Sequence, residues 1–136
     1  MITEDYVSFE TAKLLKEKGF DEITFTWYIG KGKFCVGRNN FDDYHMNHLS
    51  NMATAKDKNK CSAPTLQMAM KWLREVHHID IEVRTHYLNY LKPNDTRYYS
   101  GKILKDSEDV IHTIYSKDTY EEVCEAAIKY CLENLI

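Results

Sequence analysis

Long apolar runs are missing from the sequence, and none approaches the roughly 18 residues that a membrane-spanning helix needs. The N-terminal stretch MITEDYVSFE is acidic and lacks the basic-then-apolar plan of a secretory signal peptide. None of the four cysteines forms a CxxC pair, and thiols stay reduced in the cytosol. These absences predict a cytoplasmic chain with unpaired, mostly buried thiols and no membrane partner.

Signatures of cofactor chemistry are also missing. The stretch Gly30-Lys31-Gly32 has neither the spacing nor the following helix of a phosphate-binding or dinucleotide-binding loop. No HExxH pattern occurs, and the titratable residues do not form a coherent catalytic set in the sequence. We therefore expect no enzymatic activity, no catalytic residue and no cofactor.

Chain length and net charge limit the domain organisation and the classes of binding partner that the sequence allows. The chain has 136 residues, of which 43% are hydrophobic and 29% charged, and these values predict a single globular domain spanning 1–136. The net charge of −3 is too small for long-range attraction to nucleic acid or to an anionic membrane.

The residue pattern predicts an α+β fold with a mostly antiparallel sheet of about five strands and helices packed on one face. Apolar residues recur at helical spacing in three segments and alternate with polar residues in others. The predicted order is α-β-β-α-β-β-β-α, with helices at 9–18, at 64–77 and from Asp118 or Thr119, and strands at 23–29, 33–36, 79–87, 98–104 and 110–115.

Two strands show the clearest alternation. In the segment 23–29, the four apolar residues at odd positions share one face and Thr24, Thr26 and Tyr28 share the other, which predicts one buried side. In 79–85, apolar and charged residues alternate strictly, so one face of the sheet should be core and the other open to solvent, and the strand is expected to run on through Tyr87. His86 falls on the charged face.

The segment 37–62 interrupts these patterns. It is rich in Asn, Asp, Lys and Ser and shows neither a helical stripe nor alternation, so we interpret it as a long polar insert. It either contains a short helix near 45–55 or is a mobile arm. A helix would bring His45 and His48 together with Asp43, which suggests a metal-dependent enzyme as one alternative. The favoured interpretation is an exposed polar loop that binds no metal.

The other histidines and cysteines indicate a catalytic role less strongly than the residues at 43–48 indicate a metal site. The pair His77-His78 could act as acid and base, but it is more typical of a helix end followed by a surface residue. His112 falls within a strand. Cys124 and Cys131 lie on the apolar stripe of the last helix, where core packing is the favoured role.

Two blocks of the sequence carry a resemblance. One is APTLQMAMKWLREVH followed by IDIEV, over 63–83, and the other is the helix YEEVCEAAIKYCLEN, over 120–134. They resemble small uncharacterised proteins carried by phages and prophages of gut bacteria, although Val123 stands where Ala is usual. The resemblance implies a mobile-element origin and an accessory role, and it transfers no active-site residue.

A binding function is therefore the leading expectation. Tyrosines at one hairpin offer contact area at little entropic cost, and we assign partner binding to Phe41, Tyr44, Tyr87, Tyr98 and Tyr99. The partner is expected to be a host protein or a protein–nucleic-acid complex, such as a CRISPR nuclease or another defence enzyme that the protein inhibits. The strongly acidic stretch 106–125 could imitate nucleic acid towards such an enzyme.

A small nucleic-acid-binding protein is the alternative. Basic and aromatic residues interleave between 31 and 60, and phosphate contacts combined with base stacking are a known binding mode. The lysines that would carry it are Lys56, Lys58 and Lys60. A homodimer is compatible with each of these functions, particularly if a sheet edge is left uncovered.

Overall fold

The computed structural model describes residues 1–37, 47, 59–87, 97–106 and 109–136. Over these residues the chain is α+β, and its strands form two antiparallel three-stranded sheets with the orders β2-β1-β3 and β4-β5-β6. The elements are α1 (Phe9–Glu17), β1 (Thr26–Ile29), β2 (Lys33–Val36), β3 (Lys60–Ser62), α2 (Leu66–His77), β4 (Ile79–Tyr87), β5 (Arg97–Lys105), β6 (Asp109–Lys117) and α3 (Tyr120–Asn134).

The predicted class and the antiparallel pairing are confirmed, but the single five-stranded sheet and the predicted order are not. Two things differ: the β1–β2 hairpin and the strands β4–β6 belong to separate sheets, and a sixth strand, β3, pairs with β1 through Trp27 opposite Ser62. This strand has only three residues, too few for alternation to be recognised, and it lies at the end of the polar segment. With it, the described strands divide into two sheets of three.

The chain divides into two compact units, Met1–Gln67 and Met68–Ile136. Most of the predicted insert 37–62 lies outside the described residues, so the prediction of one domain with an insert stays a prediction. Within that segment, Asn47 is described and buried, and its Oδ1 accepts a hydrogen bond from the Ser62 amide at 3.0 Å.

Helix α1 begins as its sequence predicts. The Ser8 hydroxyl accepts from the Thr11 amide at 3.1 Å, which satisfies one of the donors that the first turn leaves without a helical partner. The helix packs on the first sheet, where Tyr28 meets the ring of Phe9 edge-on at 5.5 Å. The Tyr28 hydroxyl also donates to the Val7 carbonyl at 2.7 Å.

The buried side of the segment around β1 is the side with the hydroxyl groups. Thr24 and Thr26 are buried, whereas Ile23 and Phe25 are 47% and 56% exposed. Burial of a hydroxyl is tolerated when it is hydrogen-bonded, and the Thr26 hydroxyl donates to the Ala63 carbonyl at 2.6 Å. Sequence alternation therefore predicted the two faces of this segment but not which one is buried.

Helix α3 covers one face of the second sheet. It begins with Thr119, whose hydroxyl accepts from the Glu122 amide at 3.1 Å, in agreement with one of the two predicted starts. Gly101 lies in the middle of β5, and a Cβ atom at this position would come within 2.6 Å of Val123 Cγ1. Its lack of a side chain lets the helix approach the sheet closely. The buried residues of α3 are Val123, Cys124, Ala127, Ile128, Cys131 and Leu132.

The second sheet departs from regular geometry in β6. The β5–β6 register shifts twice, between Tyr99 and Gly101 and between Ile103 and Leu104, as a β-bulge requires. The second shift separates Val110, which is exposed, from Ile114, which is buried. In a regular strand the two would share one face.

The substitution Gly101→Ala tests the close approach of α3. Because the added methyl group would overlap Val123 Cγ1, we expect the free energy of unfolding to fall by about 1–3 kcal/mol, as for other overpacked cores. Urea denaturation followed by circular dichroism measures it. The double variant Gly101→Ala/Val123→Ala should lose less than the sum of the two single losses, since the overlapping atom is then gone. Additive losses would contradict the contact.

Candidate interaction surface on the second sheet

The face of the second sheet opposite α3 is polar. In the β4–β5 register, Val83 lies opposite Gly101, and Gly101 faces the helix, so the even-numbered residues of β4 point the other way. This open face carries Asp80, Glu82, Arg84 and His86 from β4 and Tyr98, Ser100, Lys102 and Leu104 from β5. The predicted separation of an apolar and a charged face in 79–87 is thus confirmed.

Two aromatic pairs lie where the β4–β5 hairpin leaves the described residues. His86 stacks on Tyr98, its cross-strand neighbour, with ring centroids 4.7 Å apart. Arg97 lies over the ring of its neighbour Tyr87, at 5.7 Å from the centroid. By the strand alternation, His86 and Tyr98 lie on the open face, whereas Tyr87 and Arg97 lie on the α3 side. We call these four residues, which meet at the end of the hairpin, the hairpin-end cluster. Each pair is a cation–π or stacking contact of the kind worth about 0.5–1 kcal/mol at an exposed site.

A hydrogen bond fixes the orientation of His86. Its Nε2 lies 2.7 Å from the Ser100 hydroxyl on β5. A hydroxyl–imidazole pair can begin a nucleophilic site, but such a site also needs a third group that orients the base. Among the described residues, no carboxylate is recorded in contact with His86. The bond holds the imidazole in its stack against Tyr98.

Comparison of the chain with protein-family models, with curated protein sequences and with solved structures gave no match.

The structure brings together some of the residues assigned to partner binding and separates others. Tyr87 and Tyr98 belong to the hairpin-end cluster. Tyr99 lies on the α3 side, as Tyr87 does, but its ring contact is with Tyr120 of α3, edge-on at 6.5 Å. Phe41 and Tyr44 lie outside the described residues. Sequence reasoning missed Arg97, which becomes recognisable as a member of the surface only when the hairpin register places it opposite Tyr87.

Most residues assigned to the two alternative functions, nucleic-acid binding and metal-dependent catalysis, lie outside the described residues. Of the lysines assigned to nucleic-acid binding, Lys56 and Lys58 lie outside, and Lys60 lies in β3. The Lys60 carbonyl accepts a hydrogen bond from Lys16 Nζ at 2.7 Å. The proposed metal ligands Asp43, His45 and His48 also lie outside.

Within 1–37, 47, 59–87, 97–106 and 109–136, no three residues of the types that bind metals group closely enough to hold an ion. In the same ranges, no helix combines the length and the apolar character needed to cross a membrane.

His77 and His112 contact aromatic rings and serve packing. His77 meets Trp72 edge-on at 4.6 Å; its pKa is lowered by burial and, to a smaller extent, by the nearby Lys105 and His78. The neutral form is therefore favoured. His112 stacks on Tyr130 of α3 with ring centroids 3.7 Å apart. The ring contact of His77 is with Trp72 and not with His78, so the acid–base pair considered for His77 and His78 has no support in this geometry.

The thiols are unpaired, as expected, and three are buried. Burial raises the pKa of Cys61, and it raises the pKa of Cys124 to about 11 and that of Cys131 to about 12. A raised pKa leaves little thiolate at neutral pH, and the thiolate is the nucleophile. These thiols are therefore inert core groups, whereas Cys35 is partly accessible.

Alkylation of the native protein by iodoacetamide at neutral pH tests this ranking. We expect Cys35 to react first and Cys124 and Cys131 last, because their raised pKa values and burial both suppress attack. Peptide mass spectrometry at successive times measures the order. The denatured protein, in which all four thiols should react at similar rates, is the control. Early modification of Cys131 in the native protein would contradict the assignment.

Proposed function

We propose that the protein is a non-enzymatic accessory protein that acts in the cytoplasm by binding a host macromolecule, with the hairpin-end cluster as its contact surface. The observation that carries the proposal is the ordered grouping of two tyrosines, an arginine and a histidine at the end of one hairpin, with one pair on each face of the sheet. Tyr and Arg are enriched among residues that dominate binding energy. Because their partners already hold these side chains in place, little conformational entropy is lost on binding.

The charge around the cluster favours a protein partner. The open face of the second sheet mixes both signs, with Asp80 and Glu82 beside Arg84 and Lys102. A surface that tracks nucleic acid is instead dominated by basic groups. We therefore propose a host protein, or the protein component of a protein–nucleic-acid complex, as the partner.

A role as a phage-type inhibitor of a host defence enzyme is the more specific form of the proposal. It is supported by the resemblance of the blocks at 63–83 and 120–134 to phage and prophage proteins, and by the acidic start of α3. Glu121 and Glu122 lie in the first turn of that helix and are exposed. Acidic groups there also complement the helix dipole, so they stabilise α3 whether or not a basic partner contacts them.

Alanine substitutions at Tyr87 and Tyr98 test the contact surface. Removing both rings deletes most of the aromatic area of the cluster, so we expect the capture of a specific host protein from lysate to weaken at least about tenfold. Quantitative pull-down with the immobilised chain, followed by mass spectrometry, measures it. Tyr6→Ala is the matched control, because Tyr6 is an exposed tyrosine of the first unit with its own ring contact to Phe34.

Two results would oppose the proposal. Equal capture by the wild type and the double variant would remove the cluster as the contact surface. Turnover of a substrate by the purified chain would remove the non-enzymatic role.

A further inference from the structure

We propose that β4 is the interface of a symmetric homodimer, in which two copies of the chain pair antiparallel along this strand and join their second sheets into one. Such a dimer needs no host partner, so it holds or fails independently of the function proposed for the hairpin-end cluster. The strand has one neighbour in its sheet, β5. Its other edge has no backbone hydrogen-bond partner recorded among the described residues.

The edge of β4 is regular over its whole length. All nine residues pair with β5 in an unbroken register from Ile79 to Tyr87, and the strand contains neither proline nor glycine. A long, straight edge of this kind is a template for another strand, and proteins usually protect such edges with bulges, prolines or repelling charges. Strand β4 has neither a bulge nor a proline.

The opposite edge of the sheet is protected. Strand β6 carries both register shifts of the sheet, and Ser116 has a positive φ of 26°, which distorts the strand near its end. Bulges twist an edge away from a potential partner. The two edges thus differ, and only β4 presents an uninterrupted ladder.

The charged residues of β4 are complementary to those of a second, antiparallel copy of the same strand. When two copies pair antiparallel with Val83 opposite Val83, each Glu82 lies opposite the Arg84 of the other copy. Both side chains are exposed, and neither has an ion pair recorded within the described residues. Opposite charges directly across a strand pair stabilise it, whereas like charges destabilise it. The same register places Asp80 opposite His86 and not opposite another carboxylate, so no like charges meet across the pair.

Apolar area supports the same register. Ile81 and Val83 face the α3 side of the sheet and are half-buried, in contrast to Ile79 at the start of the strand, which is fully buried. A second β4 strand would cover them with Thr85 and Val83 of the other copy. The dimer thus removes apolar surface from water as well as completing the backbone ladder.

Charge exchange between Glu82 and Arg84 tests the dimer. The two-fold symmetry makes each single substitution create two like-charge contacts, so Glu82→Arg or Arg84→Glu should weaken dimerisation about tenfold or more. The double variant Glu82→Arg/Arg84→Glu restores opposite charges and should recover the wild-type dimer. Sedimentation equilibrium of the full chain over a range of concentrations measures each dissociation constant.

The two single substitutions and the double variant together distinguish contacts between the two copies from contacts within one copy. Glu82 lies opposite Lys102 of its own chain, whereas Arg84 lies opposite the neutral Ser100. Glu82→Arg therefore also places two bases side by side within the monomer, but Arg84→Glu does not. The double variant keeps this repulsion between the introduced guanidinium group and Lys102, so its recovery would have to come from the contact between copies. Circular dichroism confirms that each variant is folded.

Substitution on the other edge is the control. Asp109→Lys reverses a charge at the end of β6 and should leave the dissociation constant unchanged. A wild-type chain that stays monomeric at every concentration would overturn the proposal. So would a dimer that survives both single charge reversals, or one that is lost in Asp109→Lys instead.

Discussion

The second unit is organised by the contact between α3 and the middle strand of its sheet. Val123 lies where a side chain on Gly101 would be, so the helix approaches the backbone of β5 directly. This approach decides which face of the sheet is covered, because every second residue of β4 and β5 then points away from the helix. The open face therefore carries the charged residues of β4 and the His86–Tyr98 pair.

In the first unit, hydrogen-bonded hydroxyl groups and not apolar side chains alone line the buried side of the sheet. Its helix side is made of hydroxyl-bearing residues, Thr26 and Tyr28, each of which donates to a backbone carbonyl. A buried hydroxyl costs little when it is paired in this way. The apolar residues Ile23 and Phe25 consequently lie on the other side and remain largely exposed. Hydrogen bonding, as much as hydrophobicity, decides the orientation of this sheet.

Local signals explain which elements could be predicted from the sequence. The caps Ser8 and Thr119 act within a few residues of their helices, and the alternation in 79–85 is visible in the chain itself. The buried side around Thr26 depends on Ala63, which is distant in sequence, and the three residues of β3 are too few to show a period. The bulge that separates Val110 from Ile114 leaves no recognisable pattern. The hairpin-end cluster was predicted only in part, because Arg97 and Tyr99 can be assigned to faces only when the strand register is known.

The link between α2 and β4 consists of a single residue, His78, in the left-handed conformation with a φ of 57°. Its carbonyl accepts a hydrogen bond from the Asp106 amide at 3.0 Å, which ties the link to the end of β5. An inserted or deleted residue at this junction could not be absorbed by a loop. It would shift β4 by one position against β5 and exchange its charged and apolar sides. Insertions and deletions should therefore be tolerated in other parts of the chain, whereas the number of residues between α2 and β4 should stay constant.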